Sequence, residues 1–188
     1  MSGAWIIILA LIIFALYGVS VYNGFIRLRN ATKEAWSDIE VQLKRRYDLI
    51  PNLINTVKGY MAHEQGTLQK IVEARAAAMN ATGEMKEMSK VEGTLSGALK
   101  TVFALAENYP DLKANTNFLE LQRELRDTED KIQSARRFYN GNVLAYNTKI
   151  EQFPGNIIAG MFHFEPKVFF ELEDDERDAA NQPVHVQF

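Results

Sequence analysis

No residue between Met1 and Ile26 carries a charged side chain, and the run from Ala4 to Tyr22 reads AWIIILALIIFALYGVSVY. A hydrocarbon core of about 30 Å is crossed by about 20 apolar residues in helical form. Residues 1–26 are therefore expected to form a transmembrane anchor, with Ile6, Leu9 and Phe14 among lipid tails and Trp5, Tyr17 and Tyr22 framing the span. Amphipathic aromatic rings prefer the headgroup level. A cleaved signal peptide is the rival reading, with Gly18-Val19-Ser20 as a small-x-small cleavage site. It is disfavoured because Met-Ser-Gly-Ala has no basic side chain and the apolar stretch is longer than such peptides carry. Arg27, Arg29 and Lys33 follow the span directly, and Lys44, Arg45 and Arg46 come soon after. Basic residues stay on the cytoplasmic side, so the expected placement is a single pass, amino terminus outside and carboxyl-terminal body in the cytoplasm.

The rest of the 188-residue chain suffices for one domain. Its 24% charged and 47% apolar residues fit neither wholesale disorder nor a polytopic membrane protein. With 21 basic and 24 acidic side chains the net charge is −3, so the electrostatic footprint of a nucleic-acid-binding protein is missing and no nucleic-acid partner is expected. The chain has no cysteine, which excludes disulfides, thiolate metal sites and thiol catalysis.

Periodicity predicts long helices. Leu28, Ala31, Ala35, Ile39, Leu43 and Tyr47, then Ile50, Ile54, Val57, Met61, Leu68 and Ile71 with Val72 beside it, recur at steps of three, four and seven, the spacing of one helix face running toward Ala78. Pro51 predicts a kink or break near Ile50, because proline removes a backbone donor and crowds the preceding turn. Asn80 to Gly83 supply turn residues. A second helix is expected to open at Ser89, where Ser-Lys-Val-Glu matches a capping box, and to end by Tyr109 ahead of Pro110. A third, opening near Asn115 or Thr116, carries the cleanest stripe, from Phe118 through Leu125, Ile132, Tyr139, Val143 and Tyr146 to Ile150. No alternating run suggests a strand. The expected fold is all-α: the anchor, then an elongated antiparallel bundle of three long helices, or four if Pro51 splits the first. The expected divisions are the bundle over 27–153, a hydrophobic segment over 154–170 and an acidic, mobile tail over 171–188.

Motifs for chemistry are missing. No histidine has Glu three positions before it, as a di-iron bundle requires, and His63-Glu64 lacks the second histidine of H-E-x-x-H. There is no glycine-rich phosphate cradle, no G-x-S-x-G and no Ser-x-x-Lys. No catalytic, cofactor-binding or metal residue is assigned, no cofactor is expected, and the chain is read as a non-enzyme.

Lys44-Arg45-Arg46 is read as a solvated helix face pairing locally with Glu40 and Asp48, in preference to a site for anionic lipid. Asp48, Arg136, Tyr139, Asn140, Tyr146 and Asn147 form a candidate polar network that fixes helix register, with a small-ligand or peptide groove as the alternative. Gln152 to Phe164 is a 13-residue uncharged run too short to span a bilayer. Ile157, Ile158, Met161 and Phe162 within it either cap the bundle, the favoured reading, or form an interface for a partner, another subunit or the membrane surface.

Several stretches resemble the bacterial LemA family: Tyr22-Asn23, Leu28-Arg29-Asn30, Glu34-Ala35-Trp36-Ser37-Asp38-Ile39, the run Val41 to Leu53 reading VQLKRRYDLIPNL, Tyr109 to Asn115 reading YPDLKAN, Tyr139-Asn140, Tyr146-Asn147 and Phe153-Pro154. The resemblance covers about residues 1–170 and stops before the acidic end. It implies a membrane-anchored helical bundle and brings no catalytic residue. The resulting expectation is a membrane-tethered scaffold whose partners are the lipid bilayer, further copies of itself and an unidentified protein, with a membrane-remodelling or coat-like assembly as the alternative and a ligand-binding or hydrolytic enzyme as a third, less favoured reading.

Overall fold

In the computed structural model, which describes residues 2–81 and 85–171, the described residues form α-helices and no strand. They are α1 (Ser2–Lys58), α2 (Gln65–Asn80), α3 (Met85–Ala106), α4 (Pro110–Lys113), α5 (Thr116–Glu151) and α6 (Gly155–Met161). Thr82 and Gly83 of the turn expected at Asn80 to Gly83, and the acidic tail beyond Glu171, lie outside the described residues.

α1 passes through Pro51 without a break, so of the kink or break expected there the break is absent and the proline does not split the first helix. A helical proline leaves the carbonyl four residues earlier without its donor. Here that carbonyl is Tyr47 O, and Arg75 Nε on α2 donates to it at 2.8 Å. The donor that the backbone lacks is thus supplied by a side chain from a neighbouring helix, as buried carbonyls require. The first helix ends instead at Lys58, and α2 opens after a short turn in which Met61 is fully buried.

The capping box at Ser89 is also corrected. Ser89 sits inside α3, which is already helical at Met85, and its hydroxyl donates to the Glu171 carbonyl. Pro110 opens α4 at the first helical position, where its missing N–H costs nothing. Asn115, just before α5, accepts the Phe118 N–H on its Oδ1 at 3.1 Å, the bond of an N-cap.

The described residues divide into two compact units, one from 39–134 with 170–171 and the other from 2–38 with 135–169. The core of the first unit is a cluster of Ile50, Leu53 and Val57 from α1, Leu68 and Ile71 from α2, Leu95, Leu99 and Val102 from α3, Leu112 from α4, and Phe118 and Leu125 from α5. Each fully buried aliphatic side chain of this kind stabilises by about 1.5–3 kcal/mol.

In the second unit Phe25 is fully buried, its ring stacked on Phe164 at 4.8 Å and edge-on to Tyr146 at 6.2 Å. Trp36 meets Tyr139 edge to face at 5.6 Å. α6 ends with His163 at φ 53° and the Phe164 N–H bonded to Ala159 O at 2.9 Å, which satisfies a helix-end carbonyl and turns the chain back onto Phe25. The amino-terminal part of α1 is different. From Gly3 to Tyr17 every residue is exposed, Phe14 to 77%, and this helix is long and apolar enough to cross a membrane.

Candidate functional site

Two polar constellations stand out, one in each unit. The first is built around Arg46, which is 1% exposed. Along α1 it lies three residues after Leu43 and four before Ile50, both buried, so it occupies the apolar face itself. Glu92, buried on α3, stands three residues before Leu95 in the same way. The Arg46 Nη2 group donates to Glu92, and Nη1 donates to Glu129 Oε2 at 2.7 Å and to Ser96 Oγ at 2.8 Å. The Ser96 hydroxyl donates to Glu129 Oε1 at 3.1 Å, and the Tyr47 hydroxyl donates to the remaining Glu92 oxygen. Burial pushes the Tyr47 phenol above its ordinary pKa, with the Arg46 charge opposing, so Tyr47 stays a donor.

The reading of Lys44-Arg45-Arg46 as a solvated face is therefore corrected at Arg46. Its register with Ile39, Leu43 and Ile50 carries it inside, where long-range carboxylates replace water. Lys44 remains exposed, and half-exposed Arg45 pairs with Glu124 and, at 4.0 Å, with Asp127. Asp127 also accepts from Lys131 at 2.8 Å, and that bond is the main cause holding its carboxyl below the usual range. Such surface pairs contribute about 0–1 kcal/mol each.

Chemically, the Arg46 cluster ties α1, α3 and α5 at one level. Both Glu92 oxygens accept hydrogen bonds, and Glu129 is committed to Arg46 and Ser96. A surface groove of about 250 Å³, lined by Ser96, Leu99, Lys100, Phe103, Leu125, Arg126, Glu129 and Asp130, abuts it. Among the described residues no group of three or more histidine, aspartate or glutamate side chains is placed to hold a metal ion.

The second constellation lies on α5. Asn147 Nδ2 donates to Lys167 O at 2.9 Å, and its Oδ1 accepts the Lys167 N–H at 2.9 Å, so one side chain satisfies both backbone groups of one residue. Two turns earlier, the Tyr139 hydroxyl donates to Val168 O at 3.0 Å. Together they fasten the irregular chain after α6 along α5. Tyr146 belongs to the aromatic cluster on Phe25, and burial raises its phenol pKa as it does that of Tyr139. Arg136 and Asn140 also make polar or ring contacts, whereas Asp48 lies exposed in the other unit. Asn147→Ala is expected to cost about 1–3 kcal/mol, the penalty for stranding partly buried backbone groups. Amide exchange at Lys167 tests it, since protection unchanged from the parent chain refutes the assignment.

The hydrophobic segment splits between its two readings. Ile158 and Ala159 pack on the Phe25 cluster, while Ile157, Met161 and Phe162 are exposed. Of the anchor residues, Trp5, Ile6, Leu9, Phe14 and Tyr17 are exposed, and Tyr22 turns its ring to Phe162 at 4.7 Å.

Residues 35–188 match the model of the LemA family, a match that runs through the acidic end and past residue 170, where the motif resemblance stops. Protein LemA of Metamycoplasma hominis is 30% identical over 174 residues, covering 90% of this chain and 78% of that protein. Magnetosome protein MamQ 2 of Paramagnetospirillum magneticum is 23% identical over 188 residues, covering 87% of this chain and 68% of its own length. Magnetosome protein MamQ of Magnetospirillum gryphiswaldense is 22% identical over 202 residues, with 94% and 73% covered. None of these names denotes a reaction.

Proposed function

The chain belongs to the LemA family, and from that membership and the exposed apolar start of α1 we propose that it is a non-enzymatic scaffold anchored in the bacterial cytoplasmic membrane. Its helical body faces the cytoplasm and works by contact with further copies and other proteins. The observation that carries this reading is α1 itself, one helix whose first part is exposed apolar surface and whose remainder, past Ile39, is built into a packed helical core. Exposed Ile, Leu and Phe over such a length are stable only in lipid. Arg27, Arg29 and Lys33 behind the span support the cytoplasmic placement. The absence of a reaction is supported by the Arg46 cluster, whose carboxylates are occupied by structural partners.

Self-association is supported by Phe138 and Leu144 on α5, each 59% exposed on a helix that is otherwise largely polar outside. Mass measurement of the detergent-solubilised chain, with crosslinking in the membrane, is expected to show an oligomer that Phe138→Glu with Leu144→Glu dissociates. A monomer with no copurifying protein overturns the scaffold reading. A reporter fused at Phe188 and active only outside the cytoplasm overturns the orientation.

A further inference from the structure

The outward face of α6 lies beside the point where α1 leaves the apolar span. The Phe162 ring is 4.7 Å from Tyr22, and Phe164 is 5.7 Å from Tyr22 and 4.8 Å from Phe25. These contacts fix α6 at the level of residues 22–25 of α1. Counting from Gly3, Tyr22 is the twentieth residue of the span, about 30 Å along a helix rising about 1.5 Å per residue. That length equals the hydrocarbon thickness, so Tyr22 stands at the edge of the acyl region, where tyrosine is favoured. α6 is brought to the same depth.

At that depth α6 turns large apolar side chains outward. Met161 is 65% exposed, Ile157 54% and Phe162 51%, with Phe153 just ahead at 79%. Ile157 and Met161 are four residues apart and share one face, whereas Ala159 and Gly155 face Phe25 and are buried. No charge interrupts Gln152 to Phe164. Cations lie at the inner edge of this surface: Lys149 Nζ is 5.1 Å from the Phe25 ring centre, and the Arg29 guanidinium is 5.9 Å from that of Phe164. Burial is the main cause lowering the Lys149 pKa, and the nearby Arg27 charge adds to it.

We propose that α6 is an interfacial helix whose Phe153, Ile157, Met161 and Phe162 enter the boundary between headgroups and acyl chains of the leaflet that α1 leaves, with Arg27, Arg29 and Lys149 meeting anionic headgroups. The occupant of this face is lipid. The exposed patch is continuous with the bilayer-facing surface of α1 through Tyr22, and its apolar face with a basic border has the composition of helices that lie in membrane surfaces. The inference rests on the membrane-anchored reading and deepens it.

The chain has no cysteine, so single-cysteine variants report one position each. The full-length chain carrying Phe14→Cys, Ile157→Cys, Met161→Cys or Ser37→Cys is labelled with a nitroxide and reconstituted in phosphatidylglycerol and phosphatidylcholine vesicles. Ser37 is exposed and lies about 22 Å along α1 from Tyr22. Labels at 157 and 161 are expected to collide with an aqueous nickel chelate about tenfold less often than the label at 37, and to gain accessibility to oxygen, as at interfacial depth. Chelate accessibility at 157 and 161 equal to that at 37, with 14 protected, overturns the α6 proposal and leaves the anchor standing. Accessibility of 14 itself overturns the anchor and the proposal together. Protection that disappears at one chain per vesicle assigns the face to a second copy and overturns the lipid occupant.

Discussion

Arg46→Met is expected to destabilise the unit that holds it by about 3–5 kcal/mol, the cost of breaking a buried ion pair from one side. The guanidinium is the only group in the cluster that can neutralise Glu92, which is buried, while Glu129 is 43% exposed on its side chain and can hydrate. Most of the loss therefore comes from Glu92, left charged without a counter-ion and still touching the Tyr47 hydroxyl. Two controls separate this from a simple volume change. Arg46→Met combined with Glu92→Met recovers most of the stability, because an apolar pair of similar size removes the stranded charge. Acidification also shrinks the deficit of the single variant: a buried carboxyl without its cation favours the neutral form, so the folded state binds the proton more tightly than the unfolded state and gains stability as pH falls. Urea unfolding of the full chain in detergent, followed by helical circular dichroism, reads all three. An Arg46→Met midpoint equal to the parent's refutes the structural role of the cluster.

The second large effect is expected at Gly155. A methyl group there meets the Lys149 carbonyl, which is backbone at the end of α5 and cannot swing aside, and comes within 3.5 Å of the Phe25 ring. Gly155→Ala therefore pushes α6 off Phe25, at about 1–3 kcal/mol for an overpacked contact. Gly24→Ala makes the instructive contrast. Its methyl meets only the Nζ and Cε atoms of Lys149, the far end of a flexible side chain that can move aside, and the change is expected to stay within about 0.5 kcal/mol. Amide exchange over residues 155–164 distinguishes the two, with faster exchange in Gly155→Ala alone. Equal exchange in both refutes the packing assigned to α6.

How much of this was legible in the sequence depends on whether a residue's partners are local. The apolar anchor and the α5 stripe from Phe118 to Ile150 are periodic signals, complete within one segment, and the structure has the helices they predict. The Arg46 cluster was hidden because three adjacent bases read as a surface feature. The signal that could have found it was phase: Arg46 falls three residues after Leu43 and seven after Ile39, and Glu92 falls in step with Leu95, Leu99 and Val102. Opposite charges on the apolar stripes of two helices point to each other across a core. Ser89 failed for the complementary reason. Its spacing to Glu92 satisfied a local capping rule, but Glu92 was already committed to Arg46, 46 positions away. The staple of Asn147 on Lys167 belongs to the same class, since a polar side chain on a helix does not announce which distant backbone it will serve.

The Tyr47 carbonyl in front of Pro51 takes its hydrogen bond from Arg75 and not from its own helix. One position earlier, Arg46 reaches α3 and α5, and the Tyr47 carbonyl itself is served by α2. Within two residues the longest helix thus borrows bonding groups from three others. Its continuity there is a property of the assembled body and not of its own backbone: when α2 departs, the missing rung reopens and α1 regains the hinge that its proline would otherwise impose. Mechanical integrity at that point is lent by the neighbours, and it is withdrawn with them.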